Sequence, residues 1–409
     1  MSDPPQVGAL DWTGRRCELV VGPVAHGGHC VGRVEGRVVF VRHALPGERV
    51  VVEITEDRGG SFCRGDAVTV LAASPDRVTP PCSLARPGGC GGCDWQHASP
   101  AAARELKAAV VTEQLRRLAG LHWTVTVEEL PGGPLHWRTR LRLAVDQRGR
   151  AGLRGHRGHQ IVRLDAEQGC AIAVPGLLDG VLGQSWPAGV GVEVIQDDRG
   201  AQHVATRESL PRSRGFRTSW RIGGQAEQQA AGRAWAVRAD GFWQVHPAAA
   251  STLAAVVGAW ADAPAGGVAW DLYGGVGLFA AVLAEQVGER GSVLLVEASR
   301  SAIADARTNL ADLPQVRPIA CAVERLRADP DDSPDVVVLD PPRKGAGRQV
   351  VAAIADRRPD RVVYVACDPA ALARDVAIFA EQGYRLTRLR AFDAFPMTHH
   401  VECVALLEP

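Results

Sequence analysis

The stretch VAWDLYGGVGLF, residues 268–279, joins an apolar strand pattern to a glycine-rich turn and then to the start of a helical pattern. Glycines in such a turn, here Gly275 and Gly277, let the backbone approach a ligand closely at the helix N-terminus. About twenty residues on, a second strand pattern ends at Glu297, whose carboxylate can accept hydrogen bonds from a ribose diol. These features predict a site for S-adenosylmethionine or a dinucleotide, and the departure from G-x-G-x-x-G disfavours the dinucleotide.

Two further strand patterns end in reactive side chains. Asp340 ends the strand of DVVVLDPPRKG, residues 335–345, and Cys367 ends that of RVVYVACDP, residues 361–369. Strands that alternate with helices after residue 240 are typical of a Rossmann-like α/β domain, which binds ligands at the carboxyl edge of its parallel sheet. Cys367 suits a nucleophile there, and we expect the N-terminus of the following helix to lower its thiol pKa.

A carboxylate interrupts the last apolar strand pattern. VECVALL, residues 401–407, places Glu402 just after His399 and His400. An unpaired carboxylate among apolar residues is costly, so Glu402 either faces solvent at a sheet edge or is a tuned proton acceptor. We favour the proton acceptor because Cys367 supplies a nucleophile for it to serve.

The N-terminal part has a different pattern. Between Cys17 and Ala72, short alternating strand patterns are separated by glycine-rich turns, which predicts a small all-β barrel. Barrels of this size often bind RNA, but a structural spacer fits the pattern as well. A capped amphipathic helix is predicted over residues 100–120, ending at Gly120, and strand patterns return between Trp123 and Arg238.

Positive charge is concentrated in one segment. The 46 basic and 46 acidic residues of the whole chain argue against a uniformly basic nucleic-acid-binding surface. From Trp137 to Arg163, however, eight arginines accompany one acid, Asp146. A solvated sheet face explains this run as well as phosphate binding does, until other features indicate a polyanionic partner. The arginines proposed to contact RNA are Arg138, Arg140, Arg142, Arg154 and Arg157.

Four of the ten cysteines have the spacing of a metal site: Cys82, Cys90, Cys93 and the distant Cys170. Four thiolates suit a [4Fe-4S] cluster or an all-cysteine zinc site, and their spacing does not distinguish the two. The chain has no signal-peptide pattern and no apolar run of membrane-spanning length, so we expect a cytoplasmic protein with reduced thiols. The thiols expected to be buried and unreactive are Cys17, Cys30, Cys63, Cys321 and Cys403.

The order of the motifs resembles one enzyme family. Residues 241–409 resemble the catalytic domain of the RNA uracil-5-methyltransferases, in the order GFWQVH, DLYGGVGLF, LDPPR, VYVACDP and FPMTHHVE. PCSLARPGGCGGCDWQH, residues 81–97, with QGC at 168–170, resembles the iron-sulfur branch of that family, whose best-known members methylate 23S ribosomal RNA. In this branch a small TRAM barrel often precedes the cysteines, so the resemblance covers nearly the whole chain.

The resemblance implies a class I methyltransferase domain that uses S-adenosylmethionine, an OB-like TRAM barrel and a [4Fe-4S] cluster. It assigns roles as follows: cofactor or base binding to Gln244, Tyr273, Glu297 and Asp340, the nucleophile to Cys367, and the general base to Glu402. Carbon 5 of uracil is a poor nucleophile, and thiolate addition at carbon 6 would activate it before a base removes the carbon-5 proton. The target uridine is expected to be flipped out, with the arginine segment holding flanking phosphates.

Several positions depart from the family. Gly274 stands where cysteine is usual, and Leu278 where asparagine is frequent; His246 and Asp368 replace asparagines. The adenine-side acid or amide expected near Ala322 is absent unless Glu324 replaces it. We expect three parts: a TRAM-like barrel over 1–75, a β-rich RNA-binding and cluster-bearing part over 76–98 and 121–240, and the methyltransferase domain over 99–120 and 241–409.

Three alternatives remain open from the sequence. An amino-group methyltransferase also uses a D-P-P loop but needs no nucleophilic cysteine. A non-catalytic RNA-binding or ribosome-assembly protein could keep the fold, although it would not need both Cys367 and Glu402. The target RNA is either 23S rRNA, which the branch favours, or a tRNA. No obligate protein partner and no membrane are implied.

Overall fold

The computed structural model describes residues 11–165, 169–210, 215–326 and 333–409. The predicted domain ranges therefore include short stretches outside the described residues. One of these stretches, 166–168, contains Gln168 of the QGC motif that ends at Cys170. The chain divides into two units, and the first comprises the described residues up to Val110 with Arg154–Gln160 and Met397–His399. The rest forms the second unit. The three-part division stays a prediction.

The N-terminal strands form a five-stranded sheet of order β1-β4-β5-β3-β2. The strands are β1 (Arg16–Val20), β2 (Cys30–Val34), β3 (Arg37–Arg42), β4 (Arg49–Asp57) and β5 (Phe62–Ala72). The two outermost strands, β1 and β2, also contact each other, so the sheet curves round its core. Alternate residues such as Val39, Val50 and Val52 fill that core, as a sheet with one buried face requires. The all-β fold predicted for this region is confirmed.

The predicted helix follows the cysteine-rich segment. Helix α1 (Pro100–Gln114) continues as a π-helical turn, Leu115–Ala119, and ends at Gly120 with φ 67°. A left-handed C-terminal residue is most easily a glycine, which explains the end point. Trp95 packs with Ala103 and Leu106 of the helix, and thereby joins the cysteine-rich segment to the first turns of α1.

A six-stranded sheet of order β12-β11-β10-β7-β8-β9 follows. Its strands are β7 (Arg140–Val145), β8 (Ala151–Arg154), β9 (Ile161–Arg163), β10 (Gly191–Gln196), β11 (Gln202–Ser209) and β12 (Phe216–Ile222). Leu141 and Leu143 of β7 are buried, so the strand alternation directs Arg140 and Arg142 to the opposite face. The hairpin β13 (Gln225–Ala230) and β14 (Arg233–Arg238) leads into the C-terminal part.

The C-terminal part is built on an eight-stranded sheet of order β17-β16-β15-β18-β19-β21-β20-β6. Its strands are β6 (Val127–Glu129), β15 (Val268–Leu272), β16 (Ser292–Glu297), β17 (Val316–Ala320), β18 (Val336–Leu339), β19 (Arg361–Ala366), β20 (Arg385–Asp393) and β21 (Glu402–Glu408). The helices are α2 (Ala249–Ala261), α3 (Leu278–Val287), α4 (Arg300–Asn309), α5 (Gly347–Ala355) and α6 (Pro369–Glu381), with a 3₁₀ turn at Val323–Arg325. Strands β15 to β19 are parallel, and β21 runs antiparallel to β19 and β20.

This arrangement confirms the Rossmann-like methyltransferase fold. Helix α2 contacts α3, and α5 contacts α6, so the apolar strands are covered by helices as a parallel sheet requires. The π-helical turn after α1 also packs against α6. Within the described ranges, no helix is long and apolar enough to span a membrane.

Candidate active site

The strand order explains why distant motifs meet. Strand β15 has β16 on one side and β18 on the other, and the carboxyl edge at such a reversal is where open α/β sheets bind ligands. Leu272 is paired with Val296 of β16 and with Leu339 of β18. Tyr273, Glu297 and Asp340 are therefore found at three adjacent strand ends.

The glycine-rich turn has the backbone conformation that its sequence predicts. Tyr273, Gly275 and Gly277 have φ values of 61°, 54° and 98°. A Cβ atom at position 277 would lie 2.5 Å from the Cδ1 atom of Leu310, so only glycine fits there without a shift. The Glu297 carboxylate accepts hydrogen bonds from the backbone N–H groups of Gly275 (3.3 Å) and Ser299 (2.6 Å) and supports the turn.

Polar atoms of this turn lack partners among the described residues. The Tyr273 hydroxyl and one carboxyl oxygen of Asp271 are buried without a hydrogen bond. The other Asp271 oxygen accepts from the N–H of Ala280 at 2.9 Å, and burial raises the pKa of Asp271 to about 8. Orphaned polar atoms beside a glycine turn fit the polar groups of S-adenosylmethionine. Asp271 has no role in the prediction, although it stands inside the quoted motif.

Gly274, which departs from the usual cysteine of the family, has a packing explanation. A Cβ atom there would lie 2.8 Å from Oδ2 of Asp271 and 2.8 Å from Cγ of Leu295. The Gly274 N–H donates to the Val296 carbonyl at 3.1 Å, which fixes the turn against β16. A side chain at this position would therefore displace Asp271 or Leu295.

Cys367 and Glu402 emerge side by side because of the sheet register. Ala366 at the end of β19 is paired with Cys403 of the antiparallel strand β21. Cys367 directly follows this end of β19, and Glu402 directly precedes Cys403 in β21. Glu402 is buried and is paired with Phe392 on its other side, so it does not lie on an exposed sheet edge.

The expected lowering of the Cys367 pKa is wrong for this structure. Burial and the charges of Glu402 and Asp340, partly offset by Arg343, together raise the pKa of the thiol to about 12. The helix that follows begins at the cap Asp368, which accepts from the N–H of Ala371 at 2.8 Å. The cap satisfies part of the helix N-terminus and brings another negative charge to the thiol.

The two carboxyl groups beside the thiol also have perturbed pKa values. Burial raises the pKa of Glu402 well above its ordinary value; Asp340 raises it further and Arg343 lowers it. Burial raises the pKa of Asp340 to about 7. A carboxylate with a raised pKa holds a proton strongly, which is the property of a general base.

A loop held by one aspartate carries Arg343. Asp375 of α6 accepts hydrogen bonds from the N–H groups of Ala346 (2.7 Å) and Gly347 (3.1 Å) and from the Tyr364 hydroxyl (2.6 Å). On the same loop, Nη2 of Arg343 lies 3.4 Å from Nε2 of His400. Sequence reasoning missed these residues, although LDPPR, the ARD that follows VYVACDP, and the histidine pair were visible.

The segment that carries Gln244 is fixed by β7 and by a buried histidine. Gln244 is half-buried, and the next carbonyl, of Val245, accepts from the N–H (2.9 Å) and the hydroxyl (3.0 Å) of Thr139. His246 stacks on Trp137, with ring centroids 5.8 Å apart. Burial lowers the pKa of His246 to about 4, so the ring is neutral near pH 7. Its Nδ1 accepts from the N–H of Ala248, and its Nε2 finds no partner in the part of the chain that the structure describes.

Glu324, the acid that could replace the one expected near Ala322, acts on the glycine turn: burial and the charge of Glu324 raise the pKa of the Tyr273 hydroxyl. Glu324 lies in the 3₁₀ turn at Val323–Arg325, and its carboxylate forms an ion pair with Lys344 at 3.2 Å. Leu278 is buried as the first residue of α3. The adenine-side contact therefore stays unassigned.

Comparisons with known proteins agree with this geometry. The family model "tRNA (Uracil-5-)-methyltransferase" matches residues 330–409, and the TRAM domain model matches residues 13–68. An uncharacterized RNA methyltransferase of Streptomyces coelicolor is 47% identical, over 97% of this chain and 93% of the relative. The 23S rRNA (uracil(1939)-C(5))-methyltransferase of Shewanella amazonensis is 31% identical, over 96% of each chain.

The chain belongs to the RNA (uracil-5-)-methyltransferase family. It is therefore an RNA-modifying enzyme that uses S-adenosylmethionine, and the amino-group and non-catalytic alternatives are set aside. The fold of this methyltransferase is also that of the tRNA (uracil-54, C5)-methyltransferase of Pyrococcus abyssi, solved with S-adenosyl-L-homocysteine. The TM-score is 0.72 at 21% identity, over 96% of this chain and 100% of the other.

The five arginines predicted to bind RNA have different environments in the methyltransferase. The guanidinium of Arg140 donates to the carbonyls of Ala239 and Gly241, and burial lowers its pKa to about 10. Arg142 is exposed and lies 3.3 Å from Glu193. Arg138 lies in the second unit, and Arg154 and Arg157 lie in the first. Arg140 therefore supports the segment before Gln244, whereas Arg142 faces solvent.

The predicted metal ligands are also divided between the units. Cys82, Cys90 and Cys93 belong to the first unit and Cys170 to the second, and Cys93 is the buried member of the set. Among the described residues, no group of three or more His, Cys, Asp or Glu side chains is arranged to hold a metal ion. The predicted [4Fe-4S] cluster therefore stays a prediction. The spectator thiols are buried as expected, except Cys321, which is half-buried.

Proposed function

We propose that this methyltransferase methylates carbon 5 of a uridine in 23S rRNA, with Cys367 as nucleophile and Glu402 as general base. The observation that carries the proposal is the register of β19 and β21, which brings the two side chains together at a buried sheet edge beside Asp340. A cysteine thiol beside a carboxyl group that accepts protons strongly is the pair that this chemistry requires.

The residues act in a fixed order. S-Adenosylmethionine, when bound, supplies an electrophilic methyl group on its sulfonium sulfur. The Cys367 thiolate adds to carbon 6 of uracil, and the electrons of the ring double bond make carbon 5 nucleophilic. After carbon 5 has gained the methyl group, Glu402 removes its proton. The electrons of that C–H bond re-form the double bond and expel the thiolate.

Arg343 serves both reacting groups. Its positive charge lowers the pKa of Cys367 and of Glu402, and so favours the thiolate and the carboxylate forms that the two steps need. Burial acts in the opposite direction and keeps Glu402 a strong proton acceptor. The side chains assigned to the cofactor or the base are Gln244, Tyr273, Glu297 and Asp340, with Gly275 and Gly277 in the turn.

The target RNA has two candidates, 23S rRNA and tRNA. The similarity to the 23S rRNA enzyme of Shewanella amazonensis extends over nearly the whole of both chains, which favours rRNA. The family model that matches residues 330–409 is named for tRNA, so a tRNA uracil-5-methyltransferase of the same mechanism is the second candidate. We propose that exposed arginines such as Arg142 contact phosphates of the RNA.

Incubation with 5-fluorouridine-substituted RNA tests the mechanism. Fluorine blocks the final proton removal, so wild-type protein should form a covalent RNA adduct that carries the methyl group, detected by denaturing mass analysis. Cys367→Ala should form none, and Cys321→Ala is the matched control because that thiol is also half-buried. Methyl transfer to unsubstituted RNA by Cys367→Ala at the wild-type rate would exclude the mechanism.

The same assay distinguishes the targets. A 23S rRNA fragment and bulk tRNA, each substituted with 5-fluorouridine, are offered separately and then in competition. Adduct formation with the rRNA fragment supports our proposal, and adduct formation with tRNA alone supports the second candidate.

We also propose that Cys82, Cys90, Cys93 and Cys170 bind a [4Fe-4S] cluster that stabilises the fold. The support is the number and spacing of the thiols and their place after a TRAM domain. The reaction needs no redox step, so the cluster takes no part in it. Anaerobically purified protein should contain iron and acid-labile sulfide, and Cys93→Ser should lose both. Zinc without iron in that preparation would exclude the cluster.

A further inference from the structure

The turn Met397–His399 precedes Glu402 and has an unusual backbone. Met397 has φ 66°, a left-handed conformation that is rare for a residue other than glycine and persists only where its surroundings hold it. Its carbonyl accepts hydrogen bonds from two consecutive N–H groups, of Asp94 (2.9 Å) and Trp95 (3.1 Å). The cysteine-rich segment therefore holds this turn through backbone contacts.

A side chain of the same segment holds the other end of the turn. Oδ2 of Asp94 accepts from the backbone N–H of His399 at 3.1 Å and lies 2.7 Å from its ring Nδ1. Oδ1 of Asp94 lies 3.7 Å from Nη2 of the buried Arg42. Four hydrogen bonds thus join two segments that are about three hundred residues apart in the chain.

Gly28 borders this contact. The indole of Trp95, which is buried, donates to the carbonyl of Gly28 at 3.1 Å. Gly28 has φ 82°, and a Cβ atom there would lie 2.7 Å from Cβ of His399. The turn is therefore packed against backbone that has no room for a side chain, and it cannot shift towards Gly28.

The chain passes from this turn directly to the active site. His400 follows His399, its ring meets Phe395 edge to face, and its Nε2 lies 3.4 Å from the guanidinium of Arg343. Glu402 is the first residue of β21, where it pairs with Phe392, and the chain before it lies outside the sheet. The turn thus fixes the backbone three residues before Glu402, at the entry to β21.

We propose that Asp94 is a positioning residue for Glu402, acting through Met397 and His399. The inference rests on the proposed roles of Cys367 and Glu402. The thiol is carried by β19, and the loop with Arg343 is held by Asp375, so neither depends on Asp94 for its backbone conformation. Loss of the Asp94 contacts should therefore slow removal of the carbon-5 proton more than addition of the thiolate.

Asp94→Ala tests this order of steps. On unsubstituted RNA, the variant should accumulate methylated RNA that is still covalently bound to Cys367, because the last step has become slow. We expect kcat to fall roughly ten- to a hundredfold, since small displacements of a catalytic group have effects of this size. KM for S-adenosylmethionine should be unchanged. A merely structural loss would lower kcat without an accumulated adduct, and that result would overturn the proposal.

Three controls separate the causes. Asp198→Ala removes an exposed carboxylate that accepts a backbone N–H from Gln229 in another strand, and it should leave kcat unchanged. His399→Ala removes the ring contact but keeps the backbone N–H that Asp94 accepts, so it should give the same adduct to a smaller extent, and the double variant should be no worse than Asp94→Ala. Additive losses would overturn the proposal. Metal content is measured for each variant, and a loss of kcat that tracks metal loss alone would also overturn it.

The proposed function is tested separately in the same experiment. If the wild type forms no Cys367 adduct with 5-fluorouridine-substituted RNA, the mechanism itself fails. If the wild type forms that adduct and Asp94→Ala releases product normally, only the role of Asp94 fails.

Discussion

The catalytic edge of the eight-stranded sheet and the arginine and cysteine segments differ in how their functional residues are brought together. Tyr273, Glu297, Asp340 and Cys367 lie at the carboxyl ends of four neighbouring parallel strands, which share one edge of the sheet. The predicted metal ligands and the predicted RNA-binding arginines come from loops and short strands and are divided between two units. Sheet register therefore determines a site from local patterns, whereas a site built from loops depends on contacts that no local pattern encodes.

The charged groups of the two regions also differ in their burial. At the catalytic edge, burial raises the pKa of Asp271, Asp340 and Glu402, and Arg343 only partly offsets the negative charge. In the arginine segment, Arg142 is exposed and paired with Glu193. Exposed pairs contribute only about 0–1 kcal/mol, and screening weakens them further. The catalytic edge thus holds carboxyl groups of raised pKa, whereas the ion pair of Arg142 is a weak interaction at the surface.

The largest effect is expected for Glu402→Gln. The amide keeps the shape of the side chain but cannot accept the carbon-5 proton, so methylation should fall roughly 10²- to 10⁴-fold. The covalent, methylated RNA adduct should accumulate on unsubstituted RNA, and denaturing electrophoresis measures it. Glu408→Gln, at the other end of the same strand, is the control. Normal turnover by Glu402→Gln would show that Glu402 is not the general base.

The next effect is on the pH dependence of the reaction. Cys367 and Glu402 must both be deprotonated to act, and the pKa of each is raised in the structure. Below these pKa values, kcat/KM should therefore rise with pH, by about tenfold per unit for each group that titrates. Measurement between pH 6 and 9 with pre-bound RNA checks the slope. Arg343→Ala should move the profile to higher pH, because Arg343 lowers both pKa values; a profile that falls across this range would contradict the assignment.

A smaller effect is expected when the loop anchor is changed. Asp375→Asn replaces a carboxylate that accepts from two backbone N–H groups and a hydroxyl, so at least one donor loses its acceptor. The free energy of unfolding should fall by about 1–3 kcal/mol. Urea denaturation measures the change, and Asp356→Asn on the exposed end of α5 should change it by less than about 0.5 kcal/mol. Equal effects of the two variants would show that Asp375 does not anchor the loop.

The limits of sequence reasoning follow from the same comparison. The α/β fold, the glycine turn and the placement of Cys367 and Glu402 could be predicted, because strand ends and motifs are local features. The raised pKa of Cys367 could not, since it depends on burial and on Glu402 and Asp340, which are brought in by other strands. Asp375 and Asp94 were missed for a related reason: each acts on backbone that is distant in sequence, and no spacing rule connects them.

The smallest effect is expected in the arginine segment. Arg142→Ala removes one exposed positive charge, so RNA binding should weaken modestly, and the slope of log K against log salt should decrease by roughly one. Arg348→Ala, which removes an equally exposed arginine paired with Glu381, is the matched control and should leave the slope unchanged. Filter binding across a salt series with a 23S rRNA fragment measures both. If the two variants change the slope equally, the arginine segment is an ordinary solvated face. If only Arg142→Ala changes it, this strand contacts phosphates, although its register reveals nothing of that role.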